Sequence, residues 1–310
     1  MVPCYLLTHE RGELRERARR AREGLADCQA CPRVCRVDRL AGQLGICEVG
    51  SEATVASAGP HFGEESPLVG RGGSGTIFLS SCNLRCVFCQ NYDISQDDRG
   101  RRVSAATLGR MMLELQGLGC HNINFVTPSH QVAAILAGLC EAIEGGLTVP
   151  LVYNTSGYDS VETLQLLDGV VDIYMPDLKT LDPECARRYL RAEDYPGVVR
   201  AALKEMFRQV GDLETDEEGI AVRGILLRHL VMPGGLASTE QALTFVRDEL
   251  SPNTYVNIMA QWRPAGETAA HPAIDRPLQR GEYAEALAIA ERVGVHRLDQ
   301  RRPKFLWPFP

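Results

Sequence analysis

Residues 80–92 read SSCNLRCVFCQNY, which sets Cys82, Cys86 and Cys89 at C-x3-C-x2-C spacing directly after an apolar run, TIFLS at 76–80. Three thiols in so short a loop can reach one centre without a large excursion of the chain. Soft-metal centres are usually closed by four ligands. The loop supplies no fourth Cys or His, and for a zinc site folding would have to bring in His121 or His130. Iron–sulfur clusters are normally held by four thiolates, so three would leave one iron open to an outside ligand. An open position is what separates a catalytic metal site from a closed structural one.

Outward from the loop, apolar runs and helical patterns alternate. The runs are TIFLS (76–80), INFV (123–126), VPLVYN (149–154), VDIYM (171–175), GILLRHLVM (224–232) and YVNIM (255–259). Their β-branched and aromatic content and flanking turn residues predict buried strands. Helical patterns fill the gaps: after Ser104, over VAAILAGLCEAI, from Asp182-Pro183-Glu184, over LTFVRDEL behind a Ser238/Gln241 capping-box pattern, and through EYAEALAIAERVG. Strand–helix repetition implies parallel strands with right-handed crossovers. No Gly-rich dinucleotide fingerprint follows the first strand, so the expected fold is α/β, a partial or complete TIM-type barrel rather than a doubly wound sheet, with a small N-terminal Cys-rich metal-binding segment. Functional residues then belong in the loops at the C-terminal ends of the strands: SCNLRCVFCQN, TPSHQ, NTSGYD, PDLKT, PGGLAS and AQWRPAG.

Composition narrows the class. The chain has 310 residues, 45% apolar, with a formal charge of −7, so a sizeable core is expected and no nucleic-acid surface is advertised. No long apolar run and no signal-peptide pattern is present, and the protein is expected to be soluble and cytoplasmic, with no membrane partner. Eleven cysteines in that compartment point to metal binding or catalysis rather than to disulfides.

Four of them form a second set. Residues 28–47, CQACPRVCRVDRLAGQLGIC, place Cys28, Cys31, Cys35 and Cys47 at C-x2-C-x3-C-x11-C, with Gly42 and Gly45 easing tight turns. A closed four-thiolate set suits zinc or a second [4Fe-4S] cluster, serving as electron relay, substrate anchor or structural staple. Residues 9–26 carry a narrow stripe, Leu14, Ala18, Ala21 and Leu25, and read as a solvated helix lying on the body. The expected division is 1–60 for the N-terminal helix and four-cysteine segment and 61–310 for the barrel and its tail, RRPKFLWPFP. His61, Glu64 and Glu65 read as a solvated loop that could also contact substrate or polarise a group near the barrel mouth; DLETDEEG at 212–219 reads as a solvated loop and Cys140 as core.

CNLRCVFCQN resembles the radical S-adenosylmethionine (SAM) motif, C-x3-C-x-aromatic-C, with Phe88 as the aromatic residue. The resemblance implies a [4Fe-4S] cluster on Cys82, Cys86 and Cys89, whose open iron is chelated by SAM. It also implies reductive cleavage to a 5′-deoxyadenosyl radical, hydrogen abstraction from a substrate, and a partial (β/α)6 barrel. Where the family places a GGE-like segment, this chain has Thr127-Pro128-Ser129-His130. Asn154-Thr155-Ser156-Gly157 resembles a DTNG-like segment, and Asp177-Leu178-Lys179 the DLK segment of activating enzymes. The resemblance thereby implies SAM contacts from Phe88, Asn91, Thr127, Ser129, Asn154, Ser156 and Gln261, with Asp177 on the ribose or amino group and Lys179 on the carboxylate. Trp262 and Arg263 follow Gln261 where family contacts fall, and Trp262 can equally pack.

From about residue 28 to about 265, HFGEESPLVG, NFVTPSHQ, YMPDLK and NIMAQWRP are similar to pyruvate formate-lyase activating-enzyme-like radical SAM proteins. That branch implies an external one-electron donor, flavodoxin or ferredoxin, and a substrate that is an unidentified small molecule, peptide or protein, with a glycyl residue as one option. No ferredoxin-like cysteine insert lies between residues 92 and 122. Two other classes compete: an iron–sulfur electron carrier or redox sensor without SAM chemistry of its own, and a zinc-stabilised binding protein.

Overall fold

The computed structural model describes residues 2–97 and 100–299; the proline- and aromatic-rich tail lies outside them. Among the described residues nine strands form one sheet: β1 (Ala53–His61), β2 (Ser74–Leu79), β3 (Arg101–Val103), β4 (Ile123–Val126), β5 (Leu151–Thr155), β6 (Ile173–Pro176), β7 (Glu214–Thr215), β8 (Ala221–Leu230) and β9 (Tyr255–Met259). All six expected runs are strands. They pair in parallel and in chain order, β2–β4–β5–β6–β8–β9. The parallel run does not close, since β2 pairs on its other edge with antiparallel β1, and β1 with β3. This is the partial-barrel geometry. β1 was not marked by the sequence pattern, because its small residues, ATVASAGPH, offer little apolar periodicity.

Alternation divides each strand between two environments. One face of the parallel strands packs under the helices: Ile77, Phe125, Leu151, Tyr153, Tyr174, Ile225 and Leu227 belong to the main core. The other face turns into the barrel. At its lower end Val152, Ile173, Met175 and Leu226 form a separate apolar cluster. Two residues further along the same face come Asn154, Asp177 and Arg228, so the lumen changes from apolar to charged within one step of the pleat.

The helices follow their sequence signals with two corrections. Ser104 caps Ala105–Gly117 by accepting from the Thr107 amide, and Asp182 caps Pro183–Cys185 by accepting from the Glu184 amide. Ser238 does not cap Thr239–Phe245; its backbone is left-handed (φ 51°) and its hydroxyl pairs with Thr180 at 3.2 Å. The N-terminal pattern is two helices, Cys4–Glu10 and Glu13–Glu23, divided where Gly12 turns left-handed at φ 74°. Leu14 and Leu25 are buried, and Ala18 and Ala21 pack on the core. That apolar edge contributes about 1.5–3 kcal/mol for each fully buried leucine.

His229, on the helix side of β8, is completely buried, with Nδ1 donating to the Leu178 carbonyl at 2.7 Å and Nε2 accepting from Thr239 Oγ1 at 3.0 Å. Burial pushes its imidazole down to about 4. Its unfolded value is about 6.5, so the stability gained by keeping it neutral is complete above that pH and is lost as pH falls towards 4. Urea unfolding of wild type should therefore weaken over that window. His229→Gln should remove up to about 3 kcal/mol of the pH dependence, and an unchanged slope would reject this assignment.

Candidate active site

The loop after β2 is held in an uncommon backbone shape. Ser81 and Arg85 have φ of 67° and 65°, and Thr127 after β4 has φ 60°. All three line one cavity of about 420 Å3 at the C-terminal ends of the strands. Positive φ at non-glycine residues is costly and tends to collect where a loop is committed to function. Cys82, Cys86 and Cys89 line the same cavity. The Leu84 amide donates to Cys82 Sγ at 3.4 Å, and Cys89 Sγ lies 3.2 Å from Ser95 Oγ. Burial raises the thiols of both Cys82 and Cys86, and Lys179 acts in the opposite direction. Gly266 closes over the loop, where a Cβ would stand 2.7 Å from the Val87 carbonyl oxygen.

The facing wall comes from β5, β6 and β8. Lys179 Nζ donates to Asp177 Oδ2 at 2.7 Å, Arg228 Nε to Asp177 Oδ1 at 2.7 Å, and Arg228 Nη2 to Asn154 Oδ1 at 2.7 Å. Burial alone would raise the Asp177 carboxyl, but Arg228 and Lys179 outweigh it and hold the group below its ordinary value. Burial would likewise discharge Lys179, and Asp177 holds it charged. A carboxylate and two cations thus face three thiols across one space.

Of the residues singled out from the sequence, Phe88, Asn91, Thr127, Asn154, Ser156, Asp177, Lys179 and Gln261 line this cavity. Ser129 does not. It is fully buried, with its hydroxyl 3.0 Å from Thr155 Oγ1, which in turn donates to Asp159 Oδ2 at 2.6 Å. Trp262 packs, its ring 5.0 Å from that of Phe88 and its Nε1 donating to the Arg276 carbonyl.

Arg228 was missed, and of the two readings open for His61 and its neighbouring carboxylates the sequence favours the solvated one. Arg228 sits inside the apolar run GILLRHLVM, where only the alternation of strand faces could have pointed it into the lumen. His61 and Glu64 also line the cavity, joined at 3.0 Å, and Glu65 accepts from Asn257 Nδ2 at 2.9 Å. With Glu64 7% and Glu65 5% exposed, the solvated-loop expectation is corrected. These carboxylates follow β1 on the connection to β2, which passes the N-terminal ends of the parallel strands, where Leu68 joins the apolar cluster at the lower end of the barrel.

Neither histidine considered for the loop reaches it. His121 Nε2 accepts from the Arg71 and Gly72 amides, and His130 Nε2 donates to the Ser80 carbonyl. Among the described residues no three His, Cys, Asp or Glu side chains converge on a single-ion site. A four-iron cluster takes one thiolate on each iron, so its ligands need not converge on a point.

The N-terminal segment grips the same loop from outside. Arg33 Nε donates to the Asn83 carbonyl at 2.7 Å, Nη2 to that of Leu84 at 2.8 Å and Nη1 to that of Arg191 at 2.8 Å. Its guanidinium also lies 5.1 Å from the Tyr158 ring centroid. Arg85 returns the contact by donating to the Ile46 carbonyl at 2.9 Å.

Fold and site together define a partial (β/α) barrel with a three-thiol loop at the tip of its first parallel strand. Residues 76–212 match the model of the radical SAM superfamily. That span carries a radical SAM superfamily domain. An uncharacterised protein of Methanocaldococcus jannaschii is 32% identical over 278 residues, covering 87% of this chain and 75% of its own. Among solved structures, a radical SAM methyltransferase from Sphaerobacter thermophilus superposes with a TM-score of 0.50 at 17% identity, over 72% of this chain and 64% of its own. This chain therefore spans less than two thirds of the methyltransferase, and the likeness is one of fold.

Because Arg33 caps two carbonyls between Cys82 and Cys86, Arg33→Ala should loosen the loop without unfolding the barrel. Charge-assisted hydrogen bonds of this kind contribute about 1.5–3 kcal/mol each, so amide exchange over residues 82–89 should quicken by about tenfold or more. Exchange there at the wild-type rate would show that the clamp is dispensable.

Proposed function

We propose that this protein is a cytoplasmic radical SAM enzyme in which Cys82, Cys86 and Cys89 hold a [4Fe-4S] cluster and the facing wall binds SAM. The observation that carries this reading is the single cavity joining the three thiols to Asn154, Asp177, Lys179 and Arg228. The residues present fit the group: about 420 Å3 lies in the range of small-molecule sites, and the buried Ser156 hydroxyl in its lining has no protein partner. When bound, cluster and SAM supply a reductive cleavage that yields a 5′-deoxyadenosyl radical for hydrogen abstraction. The chain's own residues hold and orient. Lys179 and Arg228 present positive charge suited to a carboxylate, and Asp177, engaged through both oxygens, fixes their direction. Asn91, Thr127 and Ser156 offer polar atoms for an amine or ribose.

The lumen beyond the thiols carries His61 and Glu64, which suits a polar substrate group rather than a hydrocarbon one. The resemblance to activating enzymes supports a peptide or protein acceptor, a glycyl residue among the options. Turnover requires an external one-electron donor of the flavodoxin or ferredoxin class. Cys28, Cys31, Cys35 and Cys47 are read as a second metal site, cluster or zinc.

Anaerobically reconstituted and reduced protein should convert SAM to 5′-deoxyadenosine, and Cys86→Ala should abolish both the product and the iron of this site. Asp177→Asn should leave the iron in place while weakening SAM binding by about tenfold or more, since it frees two buried cations from their partner. Reduced, iron-loaded wild type that leaves SAM intact would instead favour the electron-carrier class.

A further inference from the structure

Cys28, Cys31, Cys35 and Cys47 line one enclosed space, which Arg39, Asn83 and His130 complete. Arg39 is the unusual member. It is 3% exposed, and its donors go to the Gly50 carbonyl at 3.1 and 2.6 Å, the His130 carbonyl at 2.9 Å and Cys28 Sγ at 3.8 Å. Among the described residues it pairs with no carboxylate. An arginine cannot shed its proton in a protein, and a buried charge without a counter-charge is strongly disfavoured. Four neutral thiols would leave this cation uncompensated. Four thiolates around a divalent ion or an iron–sulfur cube carry net negative charge and would neutralise it.

Other features of the segment agree. His130 donates through Nε2 to the Ser80 carbonyl, so its proton sits on that nitrogen, while Nδ1 is buried with no partner in the lining of the same space. Val34, Arg36 and Glu48 all have positive φ, and for β-branched Val34 at 43° the conformation is a strained one. Gly45 lies so close to Cys35 that a Cβ would meet its sulfur at 2.8 Å. The backbone is bent, and the four thiols are brought around one enclosed space.

We propose that Cys28, Cys31, Cys35 and Cys47 bind a thiophilic metal as an anionic tetrathiolate centre for which Arg39 is the built-in counter-cation. This rests on reading the four thiols as a metal site and not on SAM chemistry at the other loop. Zinc and an iron–sulfur cluster share the required chemistry, and composition separates them.

The test uses the full chain with Cys82, Cys86 and Cys89 all changed to Ala, purified anaerobically, so that bound metal reports on the N-terminal set alone. Retention of about one zinc, or of about four irons with matching sulfide, is expected. Neither metal bound would overturn the site, whatever the wild-type protein does with SAM. In the same background Arg39→Gln should lose metal to a chelator roughly tenfold faster, and Arg39→Lys should restore retention. Arg39→Gln holding metal like its parent would overturn the counter-cation role. So would a folded Arg39→Lys that loses metal as fast as Arg39→Gln, because the carbonyl contacts rather than the charge would then matter. If Arg39→Gln fails to fold, the Arg39→Lys comparison decides alone.

Discussion

A carboxylate set between two cations at the mouth of the barrel organises this molecule. Asp177 leaves the end of β6, Arg228 rises from β8 and Asn154 from β5, and one guanidinium joins all three. Buried pairs of this kind gain little over an apolar replacement, yet breaking one by removing a partner costs about 3–5 kcal/mol. The network is therefore costly to assemble and hard to leave half-built. What it secures is direction: Lys179 and Arg228 are held charged, facing the thiol loop, before any ligand arrives. Such preorganisation is where a binding site gains over a flexible set of the same residues.

The lumen beneath this network explains why the charge can persist. Val152, Ile173, Met175 and Leu226 plug the barrel directly below, which keeps solvent from entering behind the ion pairs. Glu64 and Glu65 reach the network from the connection between β1 and β2, where burial raises the Glu65 carboxyl and Arg228 acts in the opposite direction. The antiparallel β1 is thus more than an edge cover. It carries the chain from the four-cysteine segment along β2 into the connection that places Glu64 in the cavity lining.

Much of this was legible in residue order. Six apolar runs became six parallel strands, and the loops after them brought Cys82, Cys86, Cys89, Asn154, Asp177 and Lys179 to one cavity. That succeeds because parallel strands put every chemical loop at one end, so spacing alone fixes the neighbourhood. Arg228 was hidden because a lumen-facing charge inside an apolar run leaves the run apolar on average. Glu64 and Glu65 were misjudged because composition marks a loop as polar without saying which surface it lies against. Ser129 stood in the right loop but on its buried side, and Ser238 exchanged a helix cap for a contact with Thr180 that no local pattern encodes.

The two thiol sets are the remaining step. They are 35 residues apart between Cys47 and Cys82, yet Asn83 lines the space enclosed by the first set while its neighbour Cys82 lines the cavity of the second. Arg33, placed between Cys31 and Cys35, grips the carbonyls of Asn83 and Leu84. A change that repositions the first set must therefore pull on the backbone that carries the second. The loop bearing Cys82, Cys86 and Cys89 has left-handed residues at both Ser81 and Arg85, so it cannot absorb such a pull by settling into a relaxed turn. Rigidity imposed from outside is what this strained loop needs, and the N-terminal segment is built to supply it.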